Sequence, residues 1–190
     1  MTTAPTPAVR SRTPRGQGRA KLVSAASGLF AEQGVNGTSL QDIADKLGVT
    51  KAAVYHQFAS KEQIVIAVAE PVIDRLSQIA DAASARPAAH RVRATIEGLV
   101  DLVLSESGTA AIMRSDPSMA QTLSTHEAYL QQITRIDALL LGPDPSAERR
   151  IALAFAGGGI MSIGGVPGME GAPGEVRSAL IAAMERALAI

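Results

Sequence analysis

Residues 38–58 read TSLQDIADKLGVTKAAVYHQF, and two short helices with a tight corner between them are legible in that stretch. Leu40, Ile43, Ala44 and Leu47 recur at the spacing of one helix face. Thr38 or Ser39 stands where an N-cap belongs, with Gln41 or Asp42 three residues on as the return arm of a capping box. Gly48 stops this helix, and Thr50 caps the next, from Lys51 to Phe58, with Ala53, Val54 and Phe58 turned inward. A short helix, a three-residue turn and a second short helix make a helix-turn-helix. Gly48 suits the turn because it tolerates positive φ, Ala44 is small where the two helices approach, and Val49 is expected to plug the corner.

Working outward, Leu22, Ala25, Ala26, Leu29 and Phe30 form one apolar stripe on a preceding helix that opens near Arg15 and stops at Gly34. On the other side, Ser60 opens a long connector helix running to about Ala85, which Pro71 should kink. Further helices are expected at about 88–107, 109–115, 118–141, 146–163 and 174–189. Residues 1–14, with three Pro and four Thr and no apolar period, read as a disordered tail. The expected organisation is all-α: a tail (1–14), a helix-turn-helix head (15–60), and a helical body (61–190), about nine helices in all.

Composition narrows the function classes. Hydrophobic residues make up 46% of the 190, but aromatics only 3%, so the core is built from aliphatic side chains that suit helices better than strands. With no Cys, disulfides, thiolate zinc sites and Cys nucleophiles are excluded, and the three His residues show no metal-ligand spacing. No apolar run reaches membrane-spanning length and no signal-peptide core is visible, so a cytoplasmic location is expected. The net charge is zero, but it is unevenly placed. Residues 1–62 carry eight Lys/Arg against four acids, and the remainder ten Arg against fourteen acids. A basic end on an acidic body is the footprint of a polyanion-binding head.

Catalysis finds no support. Glu97, Asp101, Glu106 and Asp137 form no nucleophile-base pair, and Glu97 and Asp101, one turn apart opposite the apolar face, read as solvated. Eight glycines between Gly157 and Gly174 lack the Lys of a phosphate-binding loop. They read instead as close helix contact and a loop. No enzyme activity, catalytic residue, metal or cofactor is expected.

From Thr38 through Glu62 the chain resembles the TetR family of transcriptional regulators, whose hallmark T-S-L-x-D-I-A-x-x-L-G-V-[ST]-x-x-x-[LV]-Y-x-[HY]-F-x-S-K-E it follows with one departure: Gln57 replaces the aromatic or His before Phe58, and His56 lies one position earlier. The resemblance implies a DNA-binding regulator, in most such proteins a repressor, acting as a homodimer on a palindromic operator. Together with the chemistry of base edges and phosphates, it implies that Thr50 and Tyr55 hold phosphates, that Lys51 reaches a guanine edge or a phosphate, and that Ala52 meets a thymine methyl. His56 faces outward with them, and Gln57 is able to donate to a phosphate. Thr38 or Ser39, and Lys61, are expected to clamp phosphates at the starts of their helices. The arginines at 10, 12, 15 and 19 offer an arm for an adjacent minor groove, although a solvated tail is the commoner outcome.

One short recognition helix makes too few contacts alone, so pairing is expected. The seam is placed on the last two helices, at Ile151, Phe155 and Ile163 with Val176, Leu180, Met184 and Leu188. The resemblance further implies a small-molecule effector of unknown identity, largely apolar, held among the middle helices. Candidate lining residues are Ile96, Val100, Leu104, Met113, Met119 and Leu123, with His126 and Tyr129 as polar handles.

Overall fold

The computed structural model describes residues 15–105, 109–162 and 173–189. The N-terminal tail, Ile163, Glu106 and much of the glycine-rich segment therefore lie outside the described residues. Ten helices follow one another among those described: α1 (Arg15–Gly37), α2 (Leu40–Leu47), α3 (Lys51–Gln57), α4 (Lys61–Ser84), α5 (Ala88–Ser105), α6 (Thr109–Ser115), α7 (Pro117–Leu123), α8 (Glu127–Leu141), α9 (Ala147–Ser162) and α10 (Pro173–Ala187). The all-α class expected from the sequence is the class found. The single helix expected from Ser118 to Leu141 is two, because Ser124 closes α7 and the His126 ring recaps α8 by accepting from the Tyr129 N–H at 3.4 Å. Among the described residues, no helix is long and apolar enough to cross a membrane.

Local chemistry sets the head's boundaries. Ser39, rather than Thr38, caps α2: its hydroxyl accepts from the Asp42 N–H at 3.2 Å, and the Asp42 carboxylate accepts from the Ser39 N–H at 2.7 Å. That backbone donor, and then the Ser39 hydroxyl, hold the Asp42 carboxyl below the usual aspartate range. Gly48 closes α2 in the left-handed region, φ 64°, and Gly34 breaks α1 at φ 76°, so both are places where a Cβ would add strain. Pro71 does not interrupt α4, which runs as one helix past it.

Two apolar clusters fill the interior. The first joins Leu22, Ala26 and Phe30 of α1 to Ile43, Ala44 and Val54 of the helix-turn-helix, and extends through Ile64 and Val68 of α4 to Ile112, Met119 and Leu123 of α6 and α7. The second gathers Leu76 and Ile79 of α4, Ile96 and Val100 of α5, Ile136 and Leu140 of α8, and Leu180 and Met184 of α10. The core therefore does not divide at residue 60, where the sequence pattern changes. It divides partway along α4, whose first half packs with the head and whose second half packs with the body.

The α4–α5 contact depends on Gly98. A Cβ there would lie 2.8 and 2.9 Å from the methyl and methylene carbons of Ile79, itself buried. Gly98→Ala gains roughly 1 kcal/mol of helix propensity but forces buried groups apart at a cost of about 1–3 kcal/mol. The expected outcome is a net loss, read as a lower urea midpoint with an unchanged denaturant slope.

Candidate nucleic-acid interface

The recognition surface is α3 and the turn before it. Val54 and Phe58 are buried and anchor α3 to α1 and α4, while Lys51, Ala52, Ala53, Tyr55, His56 and Gln57 are exposed. Two expectations are corrected here. Ala53 faces outward rather than into the core, because in a helix of seven residues the Val54–Phe58 pair alone fills the narrow inner face. Val49 does not plug the corner: it is 42% exposed, since Gly48 turns the chain outward and Ala44 and Ile43 already close the α2–α3 gap. Val49, Ala52, Ala53 and Tyr55, half exposed, thus add apolar atoms to a surface whose one cation on α3 is Lys51. The Lys51 ammonium lies 5.9 Å from the centroid of the Tyr55 ring, close enough for cation–π attraction to hold it over the ring face. Thr50 caps α3, its hydroxyl accepting from the Ala53 N–H at 3.2 Å, and remains exposed. Ser39 is likewise exposed beside the start of α2.

Two other expected phosphate clamps are occupied inside the protein. Thr38 is fully buried, its hydroxyl donating to the Gly34 carbonyl at 2.8 Å and accepting from the Gln33 amide at 3.3 Å. Lys61 donates to the Val35 and Thr38 carbonyls at 2.9 and 3.2 Å, closing the frayed end of α1 in place of a glycine cap. Neither role is visible in the sequence pattern, because the break at Gly34 is what turns these carbonyls toward their donors. Arg19 is also engaged, its guanidinium donating to Glu70 at 3.4 Å and lying 4.9 Å from the Phe58 centroid. It ties α1 to α3 and α4 instead of extending the tail.

Asp116, between α6 and α7, is a further residue that sequence reasoning missed. Its carboxylate accepts from the Val35 N–H at 2.6 Å across the head–body junction, and from the Ser118 and Met119 N–H groups at 2.8 and 3.0 Å at the start of α7. Desolvation pushes its carboxyl up, but these three donors and the charge of Lys61 more than reverse this and leave it below the ordinary aspartate value. The Asp116-Pro117 pair is an Asp N-cap before a Pro at N1, a local signal for the start of α7 that the sequence carries. Its grip on the head was not visible.

The body contains a partly open cavity of about 450 Å³ lined by residues of α4, α5, α8, α9 and α10 with Met113 of α6. Of the eight candidate lining residues, Met113 and Tyr129 line it. Ile96 and Val100 are buried in the second core cluster, and Leu104 is exposed. Met119 and Leu123 belong to the first cluster under the head. His126 caps α8 and borders a polar groove at the head–body junction with Ser118, Gln121, Thr122 and Lys61. Apart from Leu104, the helix periods picked out buried or part-buried positions, but they could not say which faces stop short of meeting. The true walls are chiefly Val72, Leu99, Val103, Ile133, Ile136 and Leu153, with Asp137 and Arg150 at polar positions.

Most of the residues expected at a seam on α10 lie inside the chain instead. Leu180, Met184 and Leu188 are buried within the chain, where α10 packs on α5, and Val176 is packed against the same cluster. The Arg177 guanidinium and the Asp101 carboxylate clasp α10 to α5 in a two-pronged ion pair, 2.6 and 3.0 Å, so Asp101 is not the solvated acid its position suggested. That hydrogen bond holds the Asp101 carboxyl below its ordinary value. What α9 presents outward is Ile151, 56% exposed, and Phe155, 79% exposed, with Ala154 between them; α10 adds Ala179, Ala183 and Ala187.

These features define a helix-turn-helix protein: a small basic head with an open recognition helix on an all-helical body that holds a cavity. Residues 22–68 match the family model of bacterial regulatory proteins of the tetR family. That match covers the helix-turn-helix head and the first part of α4. It is 32% identical over 109 residues to the transcriptional activator FasR of Mycolicibacterium smegmatis, covering 56% of this chain and 50% of that protein. It is 39% identical over 70 residues to the transcriptional repressor KstR2 of the same organism, covering 35% and 34%. The chain thus spans half or less of the length of these relatives. Solved structures share the fold across nearly the whole chain. NalD of Pseudomonas aeruginosa superposes with a TM-score of 0.68 at 21% identity, covering 90% of this chain and 96% of that one. FadR of Bacillus subtilis, solved with stearoyl-CoA, superposes with 0.65 at 17% identity, covering 89% and 97%. All four are named as activators, repressors or regulators, not enzymes.

Proposed function

We propose that this protein is a cytoplasmic DNA-binding transcriptional regulator that reads a palindromic operator as a homodimer and is released from it by a small, largely apolar effector held in the body cavity. The observation that carries the reading is α3 itself: Val54 and Phe58 lock one side into the head while every other residue of the helix stands open. Thr50, Ser39 and Tyr55 then meet phosphates, Lys51 a guanine edge or a phosphate, and Ala52 and Ala53 thymine methyls. Selection of bound sequences from random DNA should return a palindrome, and a mobility shift on it should weaken steeply with salt. Retention of affinity at high salt, or no selected sequence, would sink the proposal. Lys51→Ala is expected to cost about 1–3 kcal/mol per half-site. A matching drop in discrimination at one operator position marks a base contact, and a shallower salt slope with unchanged specificity marks a phosphate contact.

Pairing through the outward faces of α9 and α10 supports the dimer, because the bare Phe155 ring and Ile151 side chain make an apolar surface rarely left to water. The effector acts by binding one head spacing better than the other. The shared α4, half in each core cluster, is the element able to carry that difference. Repression by promoter occlusion is the outcome we favour, in keeping with the KstR2 likeness. Footprinting that places the operator upstream of the polymerase site would instead favour activation.

A further inference from the structure

The mouth of the cavity and the bare side of α9 form one continuous surface. Arg150, Ala154 and Gly158 recur four residues apart, so they share one row of the helix. All three line the cavity and all three are exposed, which places the opening along this row, with the exposed Asp137 of α8 also at the rim. The adjoining row of α9 holds Ile151 and Phe155, 56% and 79% exposed. Neither lines the cavity of its own chain. From Ile151 to Gly159 the exposed residues of α9 are Ile151, Ala154, Phe155, Gly158 and Gly159, none with a polar side chain. Leu153 and Ile160 carry the same apolar surface inward as cavity wall. A molecule filling the cavity of one chain alone would therefore leave part of its own apolar surface in water at this mouth.

We infer that a second copy of the chain completes the site: Phe155 of the partner subunit lies over the mouth between α8 and α9 and takes part in holding the ligand. The face matches itself. With no charge between Ile151 and Gly159, it suits an uncharged surface, and it sets the Phe155 ring one turn from Gly158 and Gly159, where no side chain stands. Two copies of α9 running antiparallel about a two-fold axis beside Ala156 and Gly157 bring each Phe155 onto the other's Gly158, in the row that borders the mouth. The exposed Ala179, Ala183 and Ala187 of α10 are small enough to let the paired helices approach. Arg150, at the far end of the row, keeps its charge in water on a long side chain. This shared site rests on the pairing through α9 and α10 proposed for the dimer. Ligand and second copy then strengthen each other's binding by the same factor.

The test uses N-phenylnaphthylamine, an uncharged apolar fluorophore, with the full chain. Diluting the wild type through its dimer–monomer transition, followed in parallel by sedimentation, should release the probe in step with the dimer. Phe155→Glu, expected to be a monomer, should bind the probe more weakly by about tenfold or more, the change that roughly 60 Å² of uncovered apolar surface produces. Because Phe155 does not line its own chain's cavity, that loss acts across the pair. Phe155→Ala, at concentrations where it remains paired, should still weaken the probe several-fold, which separates a contact with the ligand from pairing alone. A monomeric Phe155→Glu that binds the probe as tightly as the wild type, or more tightly, overturns the inference and leaves the seam standing. A Phe155→Glu that stays dimeric removes the seam and the shared site together. A paired Phe155→Ala with unchanged affinity, or a wild type that takes up no probe, overturns the shared site.

Discussion

Phe155→Glu is expected to yield a folded monomer that no longer holds its operator. The ring is 79% exposed, so its replacement removes almost no packing from the chain itself, and surface changes of this kind alter stability by about 0.5 kcal/mol or less. Across a two-fold seam, however, the introduced carboxylate would set a charge against the exposed apolar face of the partner's α9, twice per dimer. Specific protein–DNA complexes are tighter than non-specific ones by roughly 10³ or more, and a single seven-residue recognition helix retains little of that difference. Sedimentation should report one chain per particle, and the mobility shift a loss of about 10³ in operator affinity. A variant that still sediments as a dimer would remove α9 from the seam. The control is the buried ridge of α10: Leu180→Ala should cost about 2–5 kcal/mol of folding stability, because Leu180 belongs to the chain's own core.

The second large effect centres on Asp116. Removing its carboxylate leaves the Val35, Ser118 and Met119 N–H groups without their acceptor at a part-buried junction. With each orphaned donor worth about 1 kcal/mol or more, Asp116→Ala should lower stability by about 3 kcal/mol at neutral pH. Asp116→Asn, which keeps one acceptor oxygen, should lose less. Its pH dependence has a definite sign. The folded-state carboxyl lies below its unfolded value, so the stabilisation is fully present above about pH 4 and is lost as pH falls through the folded value. Unfolding curves of wild type and Asp116→Ala should therefore differ most near pH 7 and draw together in acid. A difference that stays constant down to about pH 3, below the ordinary aspartate value, would deny the carboxylate its role. Because the Val35 contact joins head to body, Asp116→Ala should also weaken the effect of any effector on operator binding more than it weakens effector binding itself.

The head was legible because its determinants are local. The Ser39–Asp42 box, the Thr50 cap, the left-handed Gly48 and the period of Leu40, Ile43 and Ala44 act within a few residues of one another, and short-range chemistry is what a sequence displays. Even there, Thr38 and Lys61 read as phosphate contacts because the carbonyls and amide they serve are brought to them only by the break at Gly34. In the body, the apolar stripe Val176, Leu180, Met184 and Leu188 was visible as a stripe, but whether it faced a second copy or α5 was not. Period alone says which face is buried, not against what. The same gap explains the cavity. Ile96 and Val100 lie on the face where α5 meets its neighbours fully, whereas Leu99 and Val103, part of a turn away, lie where the helices splay.

The order of residues was thus sufficient for the all-helical class, the helix-turn-helix and the outward set Lys51, Ala52, Tyr55 and His56, since helix caps, turn glycines and amphipathic periods involve neighbours along the chain. The division of the core along α4, the Asp116 grip on Val35, the walls of the cavity and the bareness of Phe155 came only with the packed chain. Each of these depends on how far apart helices come to rest. That spacing is set by the summed volumes of side chains distant in sequence, and by single close contacts such as Gly98 against Ile79.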